Sequence, residues 1–113
     1  MTSEDTITAH QLLDDLVPKL KSVETMVRDT LSARLMMTTD AELRQQLKTF
    51  KTEFELERTM IRMNLESLLN RHAETVEKVK AGGTDKVLEL DDHEATALKR
   101  IRQLHDRAME LKR

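Results

Sequence analysis

The sequence predicts an all-α fold, an elongated antiparallel three-helix bundle of coiled-coil-like character with a protruding two-helix hairpin tip. Of the 113 residues 35% are charged, and there are only two Gly, one Pro and two Phe, with no Trp, Tyr or Cys. Such a composition favours helices, in which unbranched side chains lose little rotamer freedom. Apolar residues also recur every three or four positions, as on the packed face of a helix. The length suits one domain, residues 1–113.

The first helix is expected over residues 6–37, where apolar side chains recur at helical spacing. Thr8 and Gln11 have the spacing of a capping box, in which each side chain bonds the backbone N–H of the other residue. Pro18 lies inside this stretch, where it lacks an N–H and its ring crowds the preceding turn. Because the apolar pattern continues in phase across Pro18, the sequence favours one helix kinked there over two separate helices.

A second helix is expected over residues 40–81. Thr39 and Glu42 again have the spacing of a capping box at its start. The pair Gly82-Gly83 follows its last apolar residue, and glycine readily adopts the left-handed conformation that ends a helix. The apolar face between these limits is broad, as expected of a helix that other helices contact from two sides.

The methionines divide into two groups. Met60 and Met63 lie beside the broad apolar face of the second helix and are interpreted as core residues. Met36 and Met37 are adjacent, so at least one of them must point away from the core of a helix. Methionine side chains adapt to irregular partner surfaces, and this pair is therefore also a candidate for a contact with another molecule.

The third helix is expected over residues 85–112. Apolar residues recur every three or four positions from Val87 to Leu111, and Glu94 is the only polar residue at these positions. A competing interpretation starts the helix near Asp91, because Asp91 and Glu94 have the spacing of a capping box. The sequence leaves both starts open.

Unequal helix lengths predict a partner-binding surface. Short connections make consecutive helices antiparallel. If the chain turns back at Gly82-Gly83, equal numbers of residues on either side of the turn place Leu111 opposite Glu55, and the third helix is expected to end there. The hairpin tip, formed by residues 31–37 and 40–54, would then consist of two helices that cannot enclose their apolar side chains. Apolar patches of this kind mark interaction sites. The predicted partner-binding residues are Leu31, Leu35, Met36, Met37, Leu43, Leu47 and Phe50.

No residue pattern indicates catalysis. Without cysteine, a disulfide framework, a zinc finger and thiol chemistry are excluded. None of the four histidines follows a Glu by three residues or lies four residues from another histidine, the spacings of common helical metal sites. There is no Gly-rich loop to hold phosphate and no arrangement of a nucleophile beside a base. We therefore expect no enzyme, no cofactor and no metal.

These exclusions leave protein contacts as the expected function. The sequence predicts a non-catalytic helical adaptor or structural subunit, bound to a protein partner or to a second copy of itself as a homo-oligomer or within a larger complex. No secretory signal and no apolar run of membrane-spanning length is present. A cytoplasmic protein without membrane association is therefore expected.

An alternative function is regulation in association with nucleic acid through the basic C-terminal helix. Cationic side chains there could contact phosphates. No aromatic side chain lies nearby to stack on bases, and the isoelectric point of about 6.1 is acidic. The candidate nucleic-acid contacts are Lys99, Arg100, Arg102, Arg107 and Arg113.

Overall fold

The computed structural model describes residues 6–112, and this part of the chain is mostly helical, as the sequence predicts. The elements in chain order are strand β1 (Thr6–Thr8), helix α1 (9–37), helix α2 (Ala41–Arg71), helix α3 (Ala73–Lys80), strand β2 (Val87–Glu89) and helix α4 (Asp92–Lys112). The molecule is elongated, with extents of 50 × 27 × 21 Å. Helix α4 packs along both α1 and α2.

Helix α1 continues through Pro18 without a break. Two wider π-helical segments, Leu12–Leu16 and Met26–Leu31, lie within it. The first immediately precedes the helical segment that contains Pro18, and the N–H of Val17 bonds the carbonyl of Leu12, five residues back. A turn of this width makes room for a residue that lacks an N–H and crowds the carbonyl four residues before it. The helix therefore accommodates proline without dividing into two.

Helix α1 begins later than expected and ends at the expected residue, Met37. Residues 6–8 form a strand, and the helix begins at Ala9, with the expected capping box in place: Thr8 Oγ1 accepts a bond from the Gln11 N–H at 3.1 Å, and Gln11 Oε1 accepts one from the Thr8 N–H at 3.1 Å. At the following turn the residue that caps α2 is Asp40 rather than Thr39. Its carboxylate accepts bonds from two N–H groups of the first turn.

A small antiparallel sheet, which the sequence analysis did not anticipate, joins the start of the described chain to the segment between α3 and α4. Strand β1 pairs with β2, with Ile7 opposite Leu88, and both of these side chains are buried. The segment from residue 84 to residue 91 is therefore extended or irregular, whereas the sequence analysis placed it in the third helix. A three-residue strand is too short to give a periodic signal.

The expected second helix is interrupted once, at His72. This residue has φ −110° and ψ 25°, outside the helical range, and separates α2 from α3. Its ring lies 3.1 Å from the carbonyl oxygen of Glu89, which can only accept, so Nε2 carries the hydrogen. The guanidinium of Arg71 donates to the same carbonyl at 2.9 Å. The side chains of Arg71 and His72 at this interruption thus hold the end of β2.

Helix α4 begins at Asp92, which agrees with the alternative start near Asp91. Asp91 Oδ1 accepts a bond from the Glu94 N–H at 2.7 Å, and Glu94 Oε1 accepts one from the Asp91 N–H at 2.9 Å, completing a capping box. Glu94 is only 1% exposed, and its carboxylate also pairs with Arg71. This ion pair, in which Glu94 is buried and Arg71 is half-exposed, ties the start of α4 to the end of α2.

Helix α4 also reaches farther than expected, so the predicted end of the third helix at the level of Glu55 is wrong. Arg107 lies over the ring of Phe50, 5.9 Å from its centroid, and the guanidinium of Arg34 donates to the carbonyl of Leu111. An extended segment advances about 3.3 Å per residue and a helix about 1.5 Å. Residues 84–91 therefore carry the chain farther back toward the hairpin tip before α4 begins.

The core runs the length of the molecule between α1, α2 and α4. Helix α2 contributes both aromatic side chains, and the sheet and α3 close one end. Leu12, Leu16, Leu31, Leu47, Phe50, Ile61, Leu68, Leu88, Leu98 and Ile101 are the largest buried apolar side chains, each less than 2% exposed.

Candidate interaction surface

The side of α2 that faces away from the core carries three exposed apolar residues in a row. Leu56 is 76% exposed, Met60 37% and Met63 65%. Their spacing of four and three places them on one line of a helix with 3.6 residues per turn. The core residues of α2, such as Phe54 and Ile61, lie on the opposite side. The row is therefore an apolar surface left in solvent.

This row is the centre of a longer uncharged line, which we call the outer stripe. Nine residues occupy it at spacings of three and four, apart from the adjacent Thr59 and Met60, and all are exposed except the half-buried Thr49. In a chain of which 35% is charged, a solvent-facing line of this length without a charge is unusual. The outer stripe consists of Gln45, Thr49, Thr52, Leu56, Thr59, Met60, Met63, Ser67 and Asn70.

Charged residues of α2 lie instead on the edge that contacts α1. Glu24 of α1 accepts bonds from Arg58 at 2.9 Å and from Arg62 at 2.5 to 3.0 Å. Burial opposes the charge on Glu24, but the bonds from Arg62 and Arg58 outweigh burial and hold the pKa of this carboxyl below its usual value. The Glu24 carboxylate is thereby engaged within the chain.

The other edge of α2 pairs with α4 in the same way. Arg100 donates to Glu57 at 2.6 Å, and Arg107 donates to Glu53 at 2.9 Å. The bond to Glu57 raises the pKa of Arg100 above its usual value, against the effect of burial. Charges on both edges of α2 therefore hold the helices together, and the outer stripe lies between these edges.

The predicted partner-binding residues of the hairpin tip divide into three groups. Leu31, Leu47 and Phe50 are fully buried within this chain. Two more, Leu35 and Leu43, are half-buried and pack against the core. The remaining two are Met36, 86% exposed, and Met37, 82% exposed. Because α4 covers this end of the hairpin, most of the apolar surface left there belongs to the two methionines.

The interpretation of Met60 and Met63 as core residues is wrong, since both side chains lie on the outside of α2. Apolar residues at helical spacing do not reveal which molecule covers them. A signal was nevertheless present in the sequence. The line that runs through Leu56 from Gln45 to Asn70 contains no charged residue, whereas a solvated helix face normally carries charged side chains.

The candidate nucleic-acid contacts on α4 are not gathered into one cationic surface. Arg100 and Arg107 are bonded to Glu57 and Glu53. Lys99 and Arg102 are exposed, without an ion pair among residues 6–112. Arg113 lies outside the described residues. Half of the described basic set is thus used in holding α4 to α2.

A cleft of about 650 Å³ lies between α1 and α2. Val27 and Phe54 line it together with cationic side chains, and Glu24, one of its two carboxylates, is already bonded to guanidinium groups. Within the described part of the chain, no three potential metal ligands come together.

Comparison with known protein families, with curated proteins and with solved structures gives no significant match to this chain. Among the helices described, none combines the length and the apolar character required to cross a membrane.

Proposed function

We propose that this chain is a non-catalytic helical adaptor or structural subunit, an antiparallel bundle that works through protein contacts made by the outer stripe. The observation that carries the proposal is the exposure of Leu56, Met60 and Met63 at the centre of an uncharged line on the longest helix. Burying these side chains against a partner gains roughly 25 cal/mol for each Å² of apolar surface removed from water.

The shape of this surface favours a helical partner. Residues spaced by three and four form a ridge that fits between the ridges of another helix. Flexible methionine side chains adjust to the facing surface. At the hairpin tip, Met36 and Met37 add a second, smaller apolar contact for the same assembly. The partner is thus a helix of another protein or of a second copy, lying along α2.

The test compares the wild-type chain with the double variant Leu56→Asp, Met63→Asp. Light scattering gives the mass of each purified protein, and capture from the native source identifies bound proteins. The wild type is expected to form a species larger than its 13.1 kDa monomer, alone or with a captured protein. The double variant should lose this association while its circular dichroism stays helical, because the altered side chains already face solvent.

A matched control is Val87→Asp, which places a charge at another apolar residue, 65% exposed, outside the outer stripe. It should leave association unchanged. If the stripe variant assembles with the affinity of the wild type, the outer stripe is not the contact surface. Binding of generic duplex DNA at low salt, lost on Lys99→Gln with Arg102→Gln, would instead favour the nucleic-acid alternative.

A further inference from the structure

We infer that the cleft between α1 and α2 binds an acidic segment of a partner protein. This cleft, which we call the cationic cleft, has a volume of about 650 Å³, and no residue of the outer stripe lines it. The inference therefore goes beyond the proposed function, which rests on the outer stripe. It is carried by the excess of positive charge in the cleft, by the length over which those charges extend, and by the shape of the cleft.

Positive charge exceeds negative charge among the side chains that line the cationic cleft. Five cations and two carboxylates line it, although the chain as a whole has a net charge of −2. A concave site lined mainly by one sign of charge attracts ligands of the opposite sign. The five cations are Lys21 and Arg28 of α1 and Lys51, Arg58 and Arg62 of α2.

Ion pairs within the chain leave part of this excess in place. Arg58 and Arg62 both bond the one carboxylate of Glu24. On the edge of α2 that faces α4, by contrast, each of the two arginines has a glutamate of its own. One positive charge of the Arg58–Arg62 pair is therefore not neutralised by Glu24, and Arg58 uses only its Nε in that contact.

The remaining cations add to the charge that is available to a ligand. Arg28 bonds Asp29, which lies beside the cleft. Lys21 is exposed and Lys51 half-buried, and neither forms an ion pair among residues 6–112. Even with Asp29 included, five cations are matched by three carboxylates. An anionic occupant would offset this imbalance.

The length of the cationic cleft favours an elongated occupant with several negative charges. Lys21 and Arg28 lie about 10 Å apart along α1, and Lys51 and Arg62 about 16 Å apart along α2, at 1.5 Å per residue. One carboxylate or phosphate forms ion pairs only with cations within about 4 Å. An extended peptide advances about 3.3 Å per residue, so about five residues reach from one end of the cleft to the other.

The shape of the cleft favours a peptide over a nucleic acid. Single-stranded nucleic acids stack their bases on exposed aromatic side chains, whereas Phe54 on the floor of the cleft is 2% exposed and Phe50 is fully buried. The major groove of duplex DNA alone is about 12 Å wide, and the axes of packed helices lie about 8–10 Å apart. A duplex is thus too wide to enter between two such helices.

The α1 wall of the cleft contains the second π-helical segment, Met26–Leu31. Pro18 accounts for the first segment, but the chain has no other proline to account for the second. Val27 and Arg28 of this segment line the cleft. Because π-helical turns are rare and are found frequently at functional sites, this segment agrees with a binding role for the cleft.

A labelled peptide of eight glutamates tests the inference, because it supplies the anionic side chains without a folded partner. Fluorescence anisotropy at low ionic strength measures its affinity for the full chain. The cleft variant carries Lys21→Gln and Lys51→Gln, which remove one cation from each wall and break no ion pair among residues 6–112. The matched control carries Lys99→Gln and Arg102→Gln, which remove the same charge at exposed positions of α4.

The cleft variant should bind the peptide about tenfold more weakly than the wild type, because two ion pairs with the peptide are lost. The control should change the affinity by less than about twofold. Carbodiimide, which joins a carboxylate to a lysine in contact with it, should couple the peptide mainly to Lys21 and Lys51. Circular dichroism verifies that both variants are folded.

Equal weakening by the two variants would mean that the peptide responds to net charge alone, and it would overturn the inference. Absence of peptide binding at low ionic strength would do the same. Tighter binding of inorganic pyrophosphate than of the peptide would assign the cleft to a small phosphorylated ligand. Duplex DNA that binds the wild type but not the cleft variant would assign it to nucleic acid. Either assignment also overturns the inference.

A neutral outer-stripe variant, Leu56→Gln with Met63→Gln, separates this inference from the proposed function. It alters no residue of the cationic cleft, so it should bind the peptide with wild-type affinity even where it no longer associates through the outer stripe. Loss of peptide binding in this variant would place the peptide on the outer stripe and overturn the inference. Association of the wild type, measured by light scattering, tests the proposed function independently.

Discussion

The two faces of α2 are both lined with apolar residues at helical spacing, yet they have opposite environments. Phe50, Phe54 and Ile61 on the inner face are enclosed by α1 and α4, whereas Leu56 and Met63 on the outer face are in solvent. Spacing alone therefore identifies a helix with two apolar lines and does not say what covers each. Ion pairs distinguish the enclosed inner face from the exposed outer face, because they lie on the two edges that flank the inner face.

The strongest test of the inner face is Phe50→Ala. This side chain is fully buried beneath Arg107 of α4, so its removal leaves a cavity and should lower the free energy of unfolding by about 3–5 kcal/mol. Urea titration at a fixed, low protein concentration measures the change. A loss below about 1 kcal/mol would contradict the enclosure of the inner face by α4.

The next largest effect is expected from Arg71→Gln, at the end of the inner face. The substitution leaves the buried carboxylate of Glu94 without its cation, although Arg71 itself is half-exposed and water screens part of the interaction. We expect a loss of about 1–3 kcal/mol in unfolding free energy. The control Arg102→Gln removes an exposed cation of α4 and should change stability by less than about 0.5 kcal/mol. Equal effects of the two variants would mean that the capping bonds alone hold Glu94.

A smaller, pH-dependent effect is expected at the edge between α1 and α2. The folded-state pKa of Glu24 lies below its ordinary value of 4.5, so its contribution to stability is complete above that pH and is lost as pH falls through the folded pKa. Glu24→Gln should therefore destabilise the protein at pH 7, by an amount that shrinks as the pH falls below 4.5. Denaturant titrations across this range measure the effect.

The exposed Glu74→Gln serves as the control for that experiment, because it also removes one carboxylate. Its unfolding free energy should follow the pH dependence of the wild type. A Glu24→Gln chain whose deficit stays constant down to acidic pH would show that packing, and not the ion pairs with Arg58 and Arg62, accounts for the loss.

The smallest effect is expected on the outer face. Met63→Ala removes a side chain that is 65% exposed, and at a concentration where the chain is monomeric it should change the unfolding free energy by less than about 0.5 kcal/mol. Its effect should grow with protein concentration, because association stabilises the folded state by mass action. A large loss of unfolding free energy that does not depend on protein concentration would mean that Met63 is buried within the monomer, which would contradict this structure.

Local chemistry, and hence the sequence alone, determined the mostly helical character of the chain and several of its element ends. The capping boxes of Thr8 with Gln11 and of Asp91 with Glu94 each act within four residues. The end after α3 is equally local. Gly82 has φ +97°, and a side chain at Gly83 would come within 2.7 Å of the Lys78 carbonyl oxygen. Interactions of such short range involve only neighbouring residues, so the sequence alone predicts them.

Only the tertiary structure decided the pairing of β1 with β2, the reach of α4 and the environment of each apolar line on α2. Ile7 meets Leu88 across eighty residues of chain, and no local pattern records that contact. Because residues 84–91 are extended or irregular, α4 reaches farther toward the hairpin tip, where its Arg107 lies over the buried ring of Phe50. The methionines of the outer stripe are then left uncovered, because burial depends on where distant helices end and not on the spacing within one helix.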